Sequence, residues 1–140
     1  MGWKVAWCER TIWMYGSIWV CTLVYKPVRK RLPTLPMWVF ALLILPIVID
    51  GGTHFISDFA GIGNGFRDSN AWLAALTGNV LPATFYAGDS LGSFNSWARL
   101  ITGVLSGIGL VGLTFPHLEN TFADVAREIE AKFYRARLEL

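Results

Sequence analysis

The run Leu43-Ile44-Leu45-Pro46-Ile47-Val48-Ile49-Asp50-Gly51-Gly52 decides how the rest of the chain is read. From Leu43 to Ile49 there is no polar side chain, whereas a surface helix turns a polar face to water once per turn; the segment is apolar on every side. Carried back to Leu35 it forms a stretch, about 35–50, of near-spanning length. Such a helix needs either a large protein core or lipid around it. The chain has 140 residues, 54% of them hydrophobic and 16% charged, with seven tryptophans. That is too short to bury several such segments in a soluble core and far from the average soluble domain, so the surroundings are lipid.

Working outward, a tryptophan-rich stretch of about 7–25 precedes this segment and a third apolar stretch, about 96–115, follows it. The expectation is an all-α fold in a single membrane domain over 1–140: an integral membrane helical bundle of three transmembrane helices. Pro36 sits where a helix start tolerates proline, while Pro46 predicts a kink or a freed carbonyl near the outer end of the second span. The third stretch carries Gly103, Ser106, Gly107, Gly109 and Gly112, and small residues let another helix approach closely. Gly103 and Gly107 are the expected packing positions. The N-terminus, Met1-Gly2-Trp3-Lys4, lacks the pattern of a cleavable signal, so targeting is expected from the spans.

Lysine and arginine near the span ends set the orientation. Lys26, Arg29, Lys30 and Arg31 crowd the loop between the first two spans, and Arg127, Lys132, Arg135 and Arg137 follow the third, against Lys4, Arg10, Arg67 and Arg99 on the other side. The expected topology is a multi-pass protein of the plasma membrane, with the N-terminus and segment 51–95 outside and the C-terminus cytoplasmic. Beyond the third span, Leu118, Phe122, Val125, Ile129, Phe133 and Ala136 recur at helical spacing. An amphipathic helix over about 118–138 is expected, on the membrane surface or docked on a partner subunit.

The outer segment holds a repeat. Asn70-Ala71-Trp72 with Thr77-Gly78 returns 25 residues later as Asn95-Ser96-Trp97 with Thr102-Gly103. Asparagine is a strong helix N-cap and tryptophan favours the membrane interface, so each copy reads as a helix entering from outside. The first copy meets Asn79 and Pro82 too early to cross, which predicts a re-entrant or interfacial half-helix over about 70–78.

Asp50, His54 and Asp58 are spaced by four and would share one face if the helix ran on through Gly51-Gly52. A carboxylate, an imidazole and a second carboxylate there could ligate a metal or relay protons. The structural alternative is that Asp50, Arg67, Asp68, Asn70 and Arg99 form a polar cluster, with Asp50 paired to Arg99 or Asp68 to Arg67, pinning spans two and three. Cys8 and Cys21, 13 positions apart, would lie about 20 Å apart on one helix and so read as free thiols. With a net charge of +2 and no long basic run outside 26–31, nucleic acid is not an expected partner. No phosphate loop, paired-cysteine metal box, dinucleotide fingerprint or Ser-His-Asp order is present, which leans away from catalysis.

With these residues placed, the chain resembles the bacterial membrane proteins catalogued as domain of unknown function 2085. The likeness is carried by Cys8-Glu9-Arg10 with Tyr15-Gly16, Pro46 with Asp50-Gly51, Arg67-Asp68-Ser69-Asn70 and Arg99-Leu100-Ile101-Thr102-Gly103, in that order, from Trp7 to about Glu119. It departs in lacking an upstream Cys-His-Gln segment, in carrying His54 where relatives tend to carry glutamine, and in the inserted repeat. The resemblance implies a membrane fold and the polar cluster, and supplies no reaction. The leading expectation for function is a non-catalytic accessory subunit of a larger membrane complex, respiratory or photosynthetic, packed through the glycine face and the tail in the lipid bilayer. The alternatives are a stand-alone protein whose outer cluster binds a metal, quinone, pigment or lipid headgroup, and a small transporter or channel unit.

Overall fold

The apolar run winds into a helix from Met37, with Pro36 in extended conformation at its N-cap (φ −62°, ψ 144°), and does not stop at the glycine pair. In the computed structural model, which describes residues 8–61, 63–88 and 90–138, this helix is α2, Met37–Asp58. It is preceded by α1 (Glu9–Val28) and followed by three short helices, α3 (Phe66–Ser69), α4 (Ala71–Leu76) and α5 (Ala83–Tyr86). The last helix, α6, runs from Phe94 to Leu138, and no strand occurs among the described residues.

Helix α6 is central, with α1 and α2 packed on it. Helix α1 runs the same way: Glu9 reaches Ser96 at one end, and Tyr25 meets Phe115 and Glu119 at the other. Helix α2 runs opposite, with Leu43 against Gly109 and Leu35 against Gly112. The glycines make these approaches possible. A Cβ on Gly103 would lie 2.9 Å from the Trp13 Cβ and 3.0 Å from the Arg10 carbonyl, and one on Gly107 would collide with the Ser17 hydroxyl. Both positions of the expected packing face are therefore used, but inside the chain and not against another subunit.

The packing is inverted relative to a water-soluble protein. Among the described residues the buried side chains include Asp50, Ser57, Arg67, Asn70, Asn95 and Arg99, while Trp19, Met37, Trp38, Leu42, Val48 and Phe55 are exposed. Helix α2 has only 6% of its apolar window buried, where a soluble core helix would be mostly covered. An apolar solvent removes the cost of exposing such surface and raises the cost of leaving polar groups unpaired, which is the arrangement seen.

Several expectations change in detail. Two helices, α2 and α6, are long and apolar enough to cross a membrane, not three. Helix α1 has 20 residues, but Trp13, Tyr15, Ser17, Trp19 and Tyr25 dilute its apolarity. The expected start of that span at Trp7, like Lys4, lies outside the described residues. The second span does not end at residue 50: helix continues to Asp58 because its last two turns are tied to α1, α3 and α6 through Asp50, His54 and Ser57. The third span and the amphipathic tail are one helix of 45 residues, about 68 Å long. Pro116 lies within it and cannot donate to the carbonyl of Gly112, four residues back. That carbonyl instead accepts the backbone N–H of Leu35 at 3.3 Å, so the proline leaves no acceptor stranded and ties the α1–α2 loop to α6.

Gly107→Leu should drive α1 from α6 and cost about 1–3 kcal/mol through overpacking, read as a lower midpoint in tryptophan-monitored thermal unfolding in detergent. Gly16→Ala, with nothing within 4 Å of the added carbon, should lower the midpoint little or raise it.

Candidate functional site

The polar residues singled out from the sequence meet at one end of the bundle, opposite the basic α1–α2 loop. Asp50 is the hub. Its Oδ2 accepts Arg10 Nε at 3.0 Å and Arg10 Nη2 at 2.6 Å, and its Oδ1 accepts Arg67 Nη2 at 2.5 Å. One carboxylate on α2 thus joins the first turn of α1 to α3. Beside it, Arg99 of α6 faces Glu9 at 3.7 Å and reaches the His54 Nε2 at 2.8 Å. Glu9 also accepts the Ser96 hydroxyl at 3.1 Å. Every long helix contributes at least one charge, so the network fixes all three to one another.

Arg67 arrives from a single helical turn, and its placement is built by short-range fits. Gly65 lies so close to Ser57 that a Cβ would overlap the serine hydroxyl and carbonyl. That hydroxyl accepts the Arg67 backbone N–H at 3.0 Å. Asp68 does not pair with Arg67; its carboxylate accepts the Gly65 N–H at 2.8 Å and caps α3. The Arg67 guanidinium lies 5.5 Å from the centre of the Phe94 ring, within range of a cation–π attraction.

The two asparagines of the repeat have another role than the one their type suggests. Asn70 stands at the start of α4 in left-handed conformation (φ 45°) and makes no side-chain cap; its amide donates to the Tyr86 carbonyl at 3.2 Å. Asn95 is already inside α6, where its amide donates to the carbonyls of Arg67 at 2.7 Å and Gly88 at 3.0 Å. Ser93 takes the capping role, its hydroxyl oxygen accepting the Ser96 N–H at 3.3 Å. Both asparagines are fully buried and act as clamps that fold segment 59–93 over the end of the bundle. Chain atoms distant in sequence needed partners here, and an amide, with donors on a short stem, reaches them. The first repeat becomes the six-residue α4, backed by α5 through the contact of the Thr77 and Tyr86 hydroxyls at 2.5 Å.

The run Asp50, His54, Asp58 does lie on one continuous helix, yet its members point to different partners. Asp50 is held by two arginines, His54 meets Arg99, and Asp58 is exposed. Among the described residues no group of three His, Cys, Asp or Glu side chains is placed to hold a metal ion. The pairing of Asp50 is with Arg10 and Arg67, where the sequence suggested Arg99. Arg10, Ser57, Gly65 and Ser93 have central places that spacing could not reveal, since Arg10 and Asp50 are 40 positions apart. Next to the network lies a crevice of about 450 Å³, lined by Cys8, Arg10, His54, Asp58, Asp68 and Arg99 among others. Its mixed charges suit a polar or zwitterionic guest better than a bare ion. Both cysteines are free thiols.

The family model described as predicted membrane protein, domain of unknown function 2085, matches residues 1–87. The matched region takes in α1 to α5 and the contacts of Arg10, Asp50 and Arg67; α6 with Arg99 lies beyond it. No curated protein and no solved structure matches the chain.

Asp50→Asn would leave Arg10 and Arg67 without their shared counter-charge. It should destabilise the fold by about 3–5 kcal/mol, while Asp58→Asn on the exposed side of the same helix should stay within about 0.5 kcal/mol. Chemical unfolding of both variants in detergent compares them; equal effects would refute the hub role of Asp50.

Proposed function

We propose, from the premise that the chain belongs to the predicted membrane protein family catalogued as domain of unknown function 2085, that it is a non-catalytic accessory subunit of a membrane complex. The supporting observation is the tail of α6. From Leu118 to Leu138 every residue is exposed, and the stripe of Leu118, Phe122, Val125, Ile129 and Phe133 is left uncovered by the described residues, with Phe122 69% and Phe133 74% exposed. Residues 117–138 extend roughly 33 Å beyond the apolar part of α6, a length that a second protein surface can cover along its whole stripe. The glycine face of α6 is already filled by α1 and α2, which leaves the tail as the surface for assembly.

In this reading α1 crosses the bilayer with α2 and α6, giving three spans, because it covers α6 from Ser96 to Glu119, about 35 Å and close to the hydrocarbon thickness. The loop with Lys26, Arg29, Lys30 and Arg31 lies at the same end as the tail, since Arg29 pairs with Glu119 at 3.4 Å. Positive charge supports a cytoplasmic side for both, with the polar cluster outside. Helices α4 and α5 sit at the outer interface with Trp72 and Leu76 exposed to lipid headgroups. The closed ion-pair network acts as the rivet of this anchor and not as a reaction centre. The outer crevice favours a second reading, in which a metal, quinone, pigment or lipid headgroup binds beside Cys8 and His54. Elemental analysis and an absorption spectrum of the purified protein test that reading.

Purified in mild detergent, the wild-type chain should run in a particle whose protein mass exceeds one copy. The variant Phe122→Glu with Ile129→Glu should fall to the mass of one chain while keeping its helicity. A wild-type preparation that is a stable lone monomer would end the accessory-subunit reading.

A further inference from the structure

At the end of the bundle away from the ion-pair network, two adjoining cavities differ in chemistry. The deeper one, about 300 Å³, lies between α1, the α1–α2 loop and α6, with Cys21, Val24, Leu35, Ile108 and Val111 on its walls. The outer one, about 460 Å³, is edged by Arg29, Lys30, Thr34, Glu119 and Asn120. Tyr25, Leu32, Pro33 and Pro116 line both, so the two adjoin. Together they reach the size of ordinary ligand pockets, apolar within and polar at the mouth.

The space has a structural cause. Gly112 contributes no side chain, and the loop is held across α6 by the hydrogen bond from Leu35 to the carbonyl that Pro116 leaves open. Loop and helices therefore bridge a gap instead of closing it. The charges at the mouth are unequal. Glu119 is the carboxylate there, and it is engaged by the Tyr25 hydroxyl at 2.8 Å and by Arg29. Arg29 and Lys30 both edge the mouth, with Lys26 and Arg31 adjacent in the chain. An excess of cations over an apolar slot at a span end matches a molecule with an anionic head and an aliphatic tail.

We propose that this double cavity is a binding site for an anionic phospholipid, with one acyl chain beside Cys21 and Val24 and the phosphate at Arg29 and Lys30. A quinone would fit the slot but has no negative head for the cations to hold. The proposal does not depend on the partner of the α6 tail, since the cavity is complete without it.

Cys21 lines the apolar part, and Cys8, at the far end beside the outer crevice, reports separately on any lipid bound there. The experiment measures N-ethylmaleimide labelling rates of both thiols in detergent-purified full chain by intact mass. Phosphatidylglycerol is added in one arm, phosphatidylethanolamine with the same acyl chains in a second, and inorganic phosphate in a third. Each cation near an anionic headgroup strengthens binding about fivefold, so phosphatidylglycerol should slow Cys21 at a concentration about fivefold or more below that needed of phosphatidylethanolamine, whatever either lipid does at Cys8. Arg29→Gln with Lys30→Gln should abolish the difference, and Lys30→Gln alone, at an exposed position, should reduce it if the double variant fails to fold. Equal slowing by both lipids, no slowing by either, or a preference that survives loss of the cations overturns the proposal. Slowing by inorganic phosphate alone overturns it too, since it would mark a small-anion site.

Discussion

The fold depends on a carboxylate in the wrong solvent. Asp50 sits almost fully buried on a helix whose preceding turns are apolar and largely exposed, and an ionised carboxylate there is tolerable only with full compensation. Arg10 and Arg67 supply it from two other elements. Because a guanidinium taken out of water needs a counter-charge, each arginine is in turn bound to the position of Asp50. Helices α1, α2 and α3 are thus registered to one another by a charge requirement that has few alternative solutions. Arg99, Glu9 and His54 extend the same requirement to α6.

Where burial of apolar surface gives little drive for helices to associate, contact has to come from close fit and polar pairing. The chain uses the two in sequence along α6. Near its start, arginine and carboxylate pairing holds the helices together; further along, Gly103, Gly107, Gly109 and Gly112 bring backbones close to α1 and α2. The glycines face neighbours on two sides, which explains why one helix can carry both others while α1 and α2 need little contact with each other. Pro116 marks where this regime ends, and its unmatched carbonyl is put to use in fastening the loop.

Much of this could be read from the chain itself. The run 43–49, the small residues of α6 and the periodic tail are patterns within single elements, and each is present as expected in its helix. The meeting of Asp50, Arg67 and Arg99 was legible too, since charges near lipid must find one another. Partner choice was not. Whether Asp50 takes Arg10 or Arg99 depends on which helices lie side by side and in which direction, and no spacing along one helix carries that information. Asn70 and Asn95 show the same limit: residue type predicts a cap, but buried carbonyls of Arg67, Tyr86 and Gly88 needed donors more. The continuity of α2 through Gly51-Gly52 and of α6 through Pro116 likewise rests on tertiary bonds that offset weak local propensity.

These features divide the molecule into two ends of opposite character. At the end holding Asp50, charges from different elements are paired and the segment folded over it is clamped by Asn70 and Asn95, while the buried Arg67 Nε and the Oδ1 atoms of the two asparagines have no hydrogen-bond partner among the described residues. At the other end the helices diverge around a gap, cations outnumber their carboxylate, and α6 continues alone with an apolar stripe uncovered. Helices α1, α2 and α6 are held in register by the buried ion pairs, and breaking those pairs to slide one helix along the next and close the gap would leave buried charge uncompensated.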